Sequence, residues 1–106
     1  FGASPDGLVG KDGLLEIKCP KTTTHLRRIR AKEVPEEYKP QMLVQLICTG
    51  RKWVDFVDYD PRVPAKLQYF TVRYEPSALE LADAEAKCIA FLNEVERQMN
   101  ELLKEE

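Results

Sequence analysis

From Asp6 to Cys19 the chain runs apolar, breaks at Gly10-Lys11-Asp12-Gly13, and runs apolar again until Pro20 stops it. Two strand-length apolar runs around such a break predict a β-hairpin over residues 6–19. The break residues accept turn dihedrals, and proline cannot continue a ladder. Within the hairpin, Asp6, Glu16 and Lys18 stand where a half-buried sheet ordinarily carries Val, Ile or Thr. Charge at those positions needs a reason.

Geometry supplies one. Strand residues two apart point the same way, about 6.6 Å apart, so Glu16 and Lys18 share a face, and Leu15 and Ile17 are expected to enter the core on the other. Asp6 joins them if Lys11-Asp12-Gly13 is a three-residue loop with Gly13 left-handed. Gly10 then faces Leu14, and Asp6 faces Lys18. A two-residue loop would turn Asp6 to the opposite face. Two carboxylates and an ammonium on one face cost several kcal/mol to desolvate unless they hold a cation, and the fitting occupant is a hard ion such as Mg2+ or Mn2+. Asp6 and Glu16 are the candidate metal ligands, helped by the Ile17 carbonyl. Lys18 suits holding and polarising an attacking water, or offsetting charge on a phosphate oxygen. Ser-Pro-Asp-Gly alone is a common turn, and Glu-x-Lys alone is ordinary on an exposed strand. Their specificity lies in the combination.

Composition limits the alternatives. The chain has 106 residues, enough for one domain, and lacks the roughly 18 consecutive apolar residues of a membrane span. Neither a membrane role nor a signal peptide is expected, and the chain reads as a cytoplasmic protein. Phe1 reads as the interior of a longer enzyme. The three cysteines, Cys19, Cys48 and Cys88, lack C-x-x-C spacing and have a single histidine, His25, for company, so they predict buried, reduced thiols rather than a zinc site. Net charge is only -2, yet six bases and no acid lie between Ile17 and Lys32, whereas nine acids lie between Glu75 and Glu106. A basic band beside the carboxylates suits a local grip on phosphates, or simply a solvated face.

The remaining elements follow from breakers and periodicity. Residues 21–32 predict a short basic helix with the Thr22–Thr24 cluster as its N-cap. Pro35-Glu36-Glu37 opens a helix over 36–50, stopped by Gly50, with Pro40 early enough to be tolerated. Tyr38, Gln41, Gln45 and Thr49 form its polar stripe. Strands follow at 53–59 and 67–74. The last helix spans 77–105, with a Ser77/Glu80 capping box and an apolar stripe through Cys88, Leu92, Val95, Met99 and Leu102.

The blocks "SPDGLV…GLLEIKCP" and "EYKPQMLVQLICTGRKWVDFVDYDPR" resemble the Pro-Asp…(Asp/Glu)-x-Lys nucleases, most closely the YqaJ-type viral recombinase and phage lambda exonuclease group. The resemblance runs over residues 2–74. It implies an α/β (α+β) restriction-endonuclease-like core: a mixed central sheet flanked by helices, here a single nuclease domain over 1–106 lacking its N-terminal helices and ending in a long amphipathic helix. By the same resemblance Asp6 and Glu16 bind metal, two magnesium or manganese ions per site. Lys18 and Gln41 are catalytic. Lys21, Thr22, Thr24, His25, Arg27, Arg28, Arg30, Tyr38 and Gln45 are the candidate DNA-binding residues. An upstream glutamate ligand and an upstream arginine that reads the DNA end would precede Phe1. The implied activity is 5′ to 3′ exonuclease digestion of linear double-stranded DNA in phage-type recombination. The implied partners are DNA ends, a single-strand annealing protein and two further copies in a trimer ring. A different nuclease on the same core (a restriction-type endonuclease, a resolvase or a helicase-attached nuclease) and a catalytically silent DNA-binding module are the alternatives.

Overall fold

A computed structural model describes residues 5–105; Ser4, at the head of the first motif, lies outside the described residues. Four strands form one sheet in the order β1 (Gly7–Val9), β2 (Gly13–Lys18), β3 (Trp53–Tyr59), β4 (Tyr69–Tyr74). The outer pairs β1/β2 and β3/β4 are antiparallel, and the central pair β2/β3 is parallel. A parallel neighbour needs a crossover, and the segment between β2 and β3 supplies it with α1 (Thr22–Ala31) and α2 (Lys39–Thr49). The result is the expected mixed sheet with flanking helices. The chain separates into two units, Phe1–Pro76 and Ser77–Glu106, the second being α3 (Ala78–Lys104) with its flanks.

The hairpin has the expected loop length in a shifted place. Val9 pairs with Gly13 and Leu8 with Leu14, so the loop is Gly10-Lys11-Asp12, and Gly10, at φ 58°, takes the left-handed residue. Relative to the expected register β1 slides by two residues. An even slide leaves every side chain on its expected face. Gly13 is required for a different reason from the one anticipated: a Cβ there would lie 2.1 Å from the Trp53 ring. Arg51 closes the loop from outside, donating to the carbonyls of Gly10 at 3.0 Å and Gly13 at 2.9 Å.

Which sheet face is covered differs from expectation. Leu14, Glu16 and Lys18 share a face with Val54, Phe56 and Asp58. It is this face that the helices bury, with Leu14, Val54, Phe56, Met42 and His25 all at 0% exposure. Ile17, expected in the core, is 43% exposed on the reverse side. Alternation states which residues share a face, but the apolar residue that continues the charged face, Leu14, decides which face is covered. On the reverse side Arg73 sits 3.6 Å from the centroid of the Trp53 ring and chelates Asp55 at 2.8 and 3.2 Å.

The helix signals largely hold. Pro40 sits in the first turn of α2, preceded by a 3-10 turn at Glu36–Tyr38, and Gly50 ends the helix at φ 70°. The cap of α1 is Lys21, with no side-chain hydrogen bond; Thr22–Thr24 lie inside the helix instead of capping it. β4 starts at Tyr69 because Ala65–Leu67 form a 3-10 turn. In α3 Ser77 Oγ accepts from the Glu80 amide and Glu80 accepts in return from the Ser77 amide, completing the capping box. Cys19 and Cys48 are exposed, contrary to the expectation of buried thiols, and Cys88 is half-buried.

Candidate active site

Glu16 and Lys18 stand at the end of β2, at the border where the covered face meets solvent. Glu16 is 4% exposed and is held by two partners: Lys18 Nζ at 2.9 Å from Oε1, and Gln45 Nε2 donating to Oε2 at 3.1 Å. Asp6, just before β1, is exposed. Its Oδ2 accepts from the Ile17 amide at 2.7 Å, which seats the carboxylate on the β2 backbone between Glu16 and Lys18 in sequence. Amide and carbonyl of one strand residue point to the same edge, so the Ile17 carbonyl faces the Asp6 side as well. The Glu16 hydrogen bond raises the Lys18 pKa above its ordinary value; partial burial opposes it, and the charges of Glu16, Tyr38 and Asp6 reinforce it. Lys18 is therefore a committed cation.

The donor set is chemically uniform. Asp6, Glu16 and the Ile17 carbonyl offer hard oxygens, the ligand type that suits magnesium or manganese rather than a softer ion. Magnesium is commonly held by one or two protein carboxylates, with water and substrate phosphate completing its shell, and these residues fit that pattern. Gln45 Oε1 is buried without a hydrogen-bond partner in the same corner, an acceptor suited to a bound water. Gln41, one helical turn before Gln45, is exposed on α2 and does not share its burial.

The basic band divides. Lys21, Arg27 and Arg30 are exposed and Thr22 and Thr24 half-buried, whereas His25 and Arg28, expected on DNA, are interior at 0% and 6% exposure. Their partner is Asp58, a residue that no sequence motif singled out. Arg28 Nη1 donates to Asp58 Oδ1 at 2.6 Å, and His25 Nδ1 lies 2.8 Å from Asp58 Oδ2, with Nε2 2.6 Å from the Leu67 carbonyl. A carbonyl only accepts, so His25 Nε2 donates to Leu67, which fixes the ring against Asp58. Burial works against the Arg28 charge, but hydrogen bonds to Asp58 and Tyr38 outweigh it and raise the pKa. Tyr38, also expected on DNA, is half-buried between Lys18 and Arg28, its centroid 4.8 Å from Lys18 Nζ and 5.2 Å from Arg28 Cζ. Gln45, expected on DNA too, is 3% exposed and spent on Glu16. The missed signal was alternation: Asp58 continues the Val54, Phe56 series, so it had to lie on the covered face and needed partners.

At the far end of β3, Asp60 accepts from the Arg62 side chain at 2.8 Å, and Arg62 Nη2 reaches the Pro20 carbonyl at 2.9 Å. The Tyr-Asp-Pro-Arg block thus ties the end of β3 to the entry of α1.

Residues 1–52 match the model of the YqaJ-like viral recombinase domain. Over 99% of its length the chain superposes on 54% of an alkaline exonuclease (LHK-Exo) from Laribacter hongkongensis, with a TM-score of 0.91 and 48% identity. A structure of LHK-Exo in complex with dAMP matches over 96% of this chain and 52% of that one, with a TM-score of 0.87 and 50% identity. The chain spans about half the length of these exonuclease chains. A comparison with the curated proteins gives no match. The first 52 residues thus match the YqaJ-like viral recombinase domain, and the fold is that of the matching half of an alkaline exonuclease.

Proposed function

We propose that the chain forms the carboxylate and lysine half of a metal-dependent nuclease site that hydrolyses linear double-stranded DNA from its ends, 5′ to 3′, in phage-type recombination. The observation that carries this reading is the hairpin itself. It seats Asp6 on the amide of Ile17 and holds Lys18 on Glu16, so a hard-cation ligand pair and a fixed ammonium share one edge. The likeness to an alkaline exonuclease supports the substrate class.

Asp6, Glu16 and the Ile17 carbonyl would hold one or two divalent ions. Bound there, such an ion supplies Lewis-acid activation of water and neutralises charge at the phosphodiester. Lys18 keeps its proton and presents it to the attacking water or to a phosphate oxygen on which charge grows. Gln45 fixes the Glu16 carboxylate from behind. Lys21, Arg27 and Arg30, with the hydroxyls of Thr22 and Thr24, contact phosphates along α1 and add affinity without sequence preference. Gln41, on the solvent side of α2, would touch the strand rather than the ion. The assembly read from the resemblance, a trimer ring that hands single strands to an annealing protein, belongs to this proposal.

The deciding experiment offers the intact protein linear and closed circular duplex, with magnesium or with chelator, and 5′-phosphorylated against 5′-hydroxyl ends. Digestion of the linear form alone, abolished by chelator, is expected. Lys18→Ala should cut turnover about 10²- to 10³-fold, the usual cost of losing one preorganised electrostatic donor, while the protein still folds with a cooperative melting transition. Cleavage of closed circles would overturn the exonuclease reading in favour of an endonuclease on the same core.

A further inference from the structure

We propose that Asp58, Arg28 and Tyr38 form a positioning relay for Lys18: Asp58 fixes Arg28, Arg28 fixes the Tyr38 phenol, and the Tyr38 ring holds the ammonium on Glu16. The proposal rests on the nuclease reading of Lys18 and adds residues that reading does not use.

The competition for Lys18 is the starting point. Lys18 and Asp58 are Cα partners across the parallel pair and face the same way, so two carboxylates, Glu16 and Asp58, lie within reach of one ammonium. Both Asp58 oxygens are already taken, Oδ1 by Arg28 at 2.6 Å and Oδ2 by His25 at 2.8 Å. Lys18 is left to Glu16 at 2.9 Å. The second step runs through the other arm of the guanidinium. Arg28 Nη2 donates to the Tyr38 hydroxyl at 3.2 Å and to Glu37 at 3.1 Å, so the fork that neutralises Asp58 also sets the phenol. The third is the ring. Tyr38 stacks on Phe56 with centroids 5.6 Å apart, and Lys18 Nζ lies 4.8 Å from its centroid, within cation–π range. The ammonium is thus confined from one side by the ring and from another by Glu16. A purely structural ion pair would hold α1 to the sheet and leave Lys18 indifferent.

Three variants of the intact protein test this: Arg28→Lys, Tyr38→Phe and Tyr38→Leu. Arg28→Lys keeps a charge for Asp58 but cannot fork to the phenol. It should lower kcat about 10- to 100-fold, the cost of a misplaced catalytic group, and leave KM for linear duplex within about twofold. Tyr38→Phe keeps the ring and its stack on Phe56, loses only the hydroxyl, and should lower kcat about fivefold, one hydrogen bond's worth. A second readout needs no activity. With 13C-labelled lysine, the Lys18 ε-methylene protons should be shifted upfield by the Tyr38 ring, should return to the common lysine position in Tyr38→Leu, and should move in Arg28→Lys. Tyr38→Phe with wild-type kcat and KM overturns the relay, as does a Lys18 signal that ignores Tyr38→Leu. If Arg28→Lys fails to fold, the two Tyr38 variants decide. If the unmodified protein never cleaves DNA, the nuclease reading fails, while the lysine spectrum still upholds or sinks the relay.

Discussion

The two faces of the sheet use nearly the same parts to opposite ends. On the helix-covered face Asp58 meets Arg28 beside Tyr38; on the reverse face, three residues earlier on the same strand, Asp55 meets Arg73 beside Trp53. The reverse-face group is a closed unit. Arg73 chelates both oxygens of Asp55 and lies over Trp53, and Trp53 in turn lies over Gly13, the one residue type that leaves room for it. It clasps β2, β3 and β4 together on that face. The covered-face group is open ended: Arg28 spends one nitrogen on Asp58 and carries the other to Tyr38, which borders Lys18. Burial makes the difference matter, since an exposed pair is screened by water and a buried one is not.

The largest way to break this contrast is Asp58→Ala. It takes the buried carboxylate from Arg28 and leaves it only the exposed Glu37, and should cost about 3–5 kcal/mol by urea titration, whereas a loss no larger than that of Asp55→Ala would make the two faces equivalent. Gly13→Ala comes next. Its new Cβ would sit 2.1 Å from Trp53, and the strain should cost about 1–3 kcal/mol without touching Lys18. A third test uses acid. Arg62 holds the Asp60 carboxyl down from the usual 3.8 to about 2, so this group's contribution is complete above pH 4 and fades as pH falls toward 2. Asp60→Asn should remove that part of the acid slope and leave stability at pH 7 with little further pH dependence of its own. The smallest effect belongs to Asp55→Ala, which should barely move the urea midpoint and leave turnover unchanged.

Much of this was legible beforehand because it depended on neighbours in sequence. The capping box at Ser77, the stop at Gly50, the bounds of β3 and the parity of the hairpin are all local, decided by a residue type within a few positions. The association of Asp6, Glu16 and Lys18 was legible for the same reason, since one short loop joins them. What escaped the sequence depended on distant partners. Arg28 reads as one more base in a basic band until Asp58, 30 residues on, arrives beside it. Gln45 reads as a solvent-facing stripe residue until α2 is laid against Glu16. Gly13 reads as a turn glycine until Trp53, its partner on β3, covers it. A strand pattern names two faces, and only the third dimension says which is inside.

The bond from the Ile17 amide to Asp6 has a practical consequence. It makes one proton a built-in gauge of the site: while the carboxylate is docked that proton is protected, and when the short first strand lifts away it trades with solvent. Deuterium uptake at a single amide would therefore time how long the aspartate stays in place, and any ligand that recruits this carboxylate should visibly change that clock.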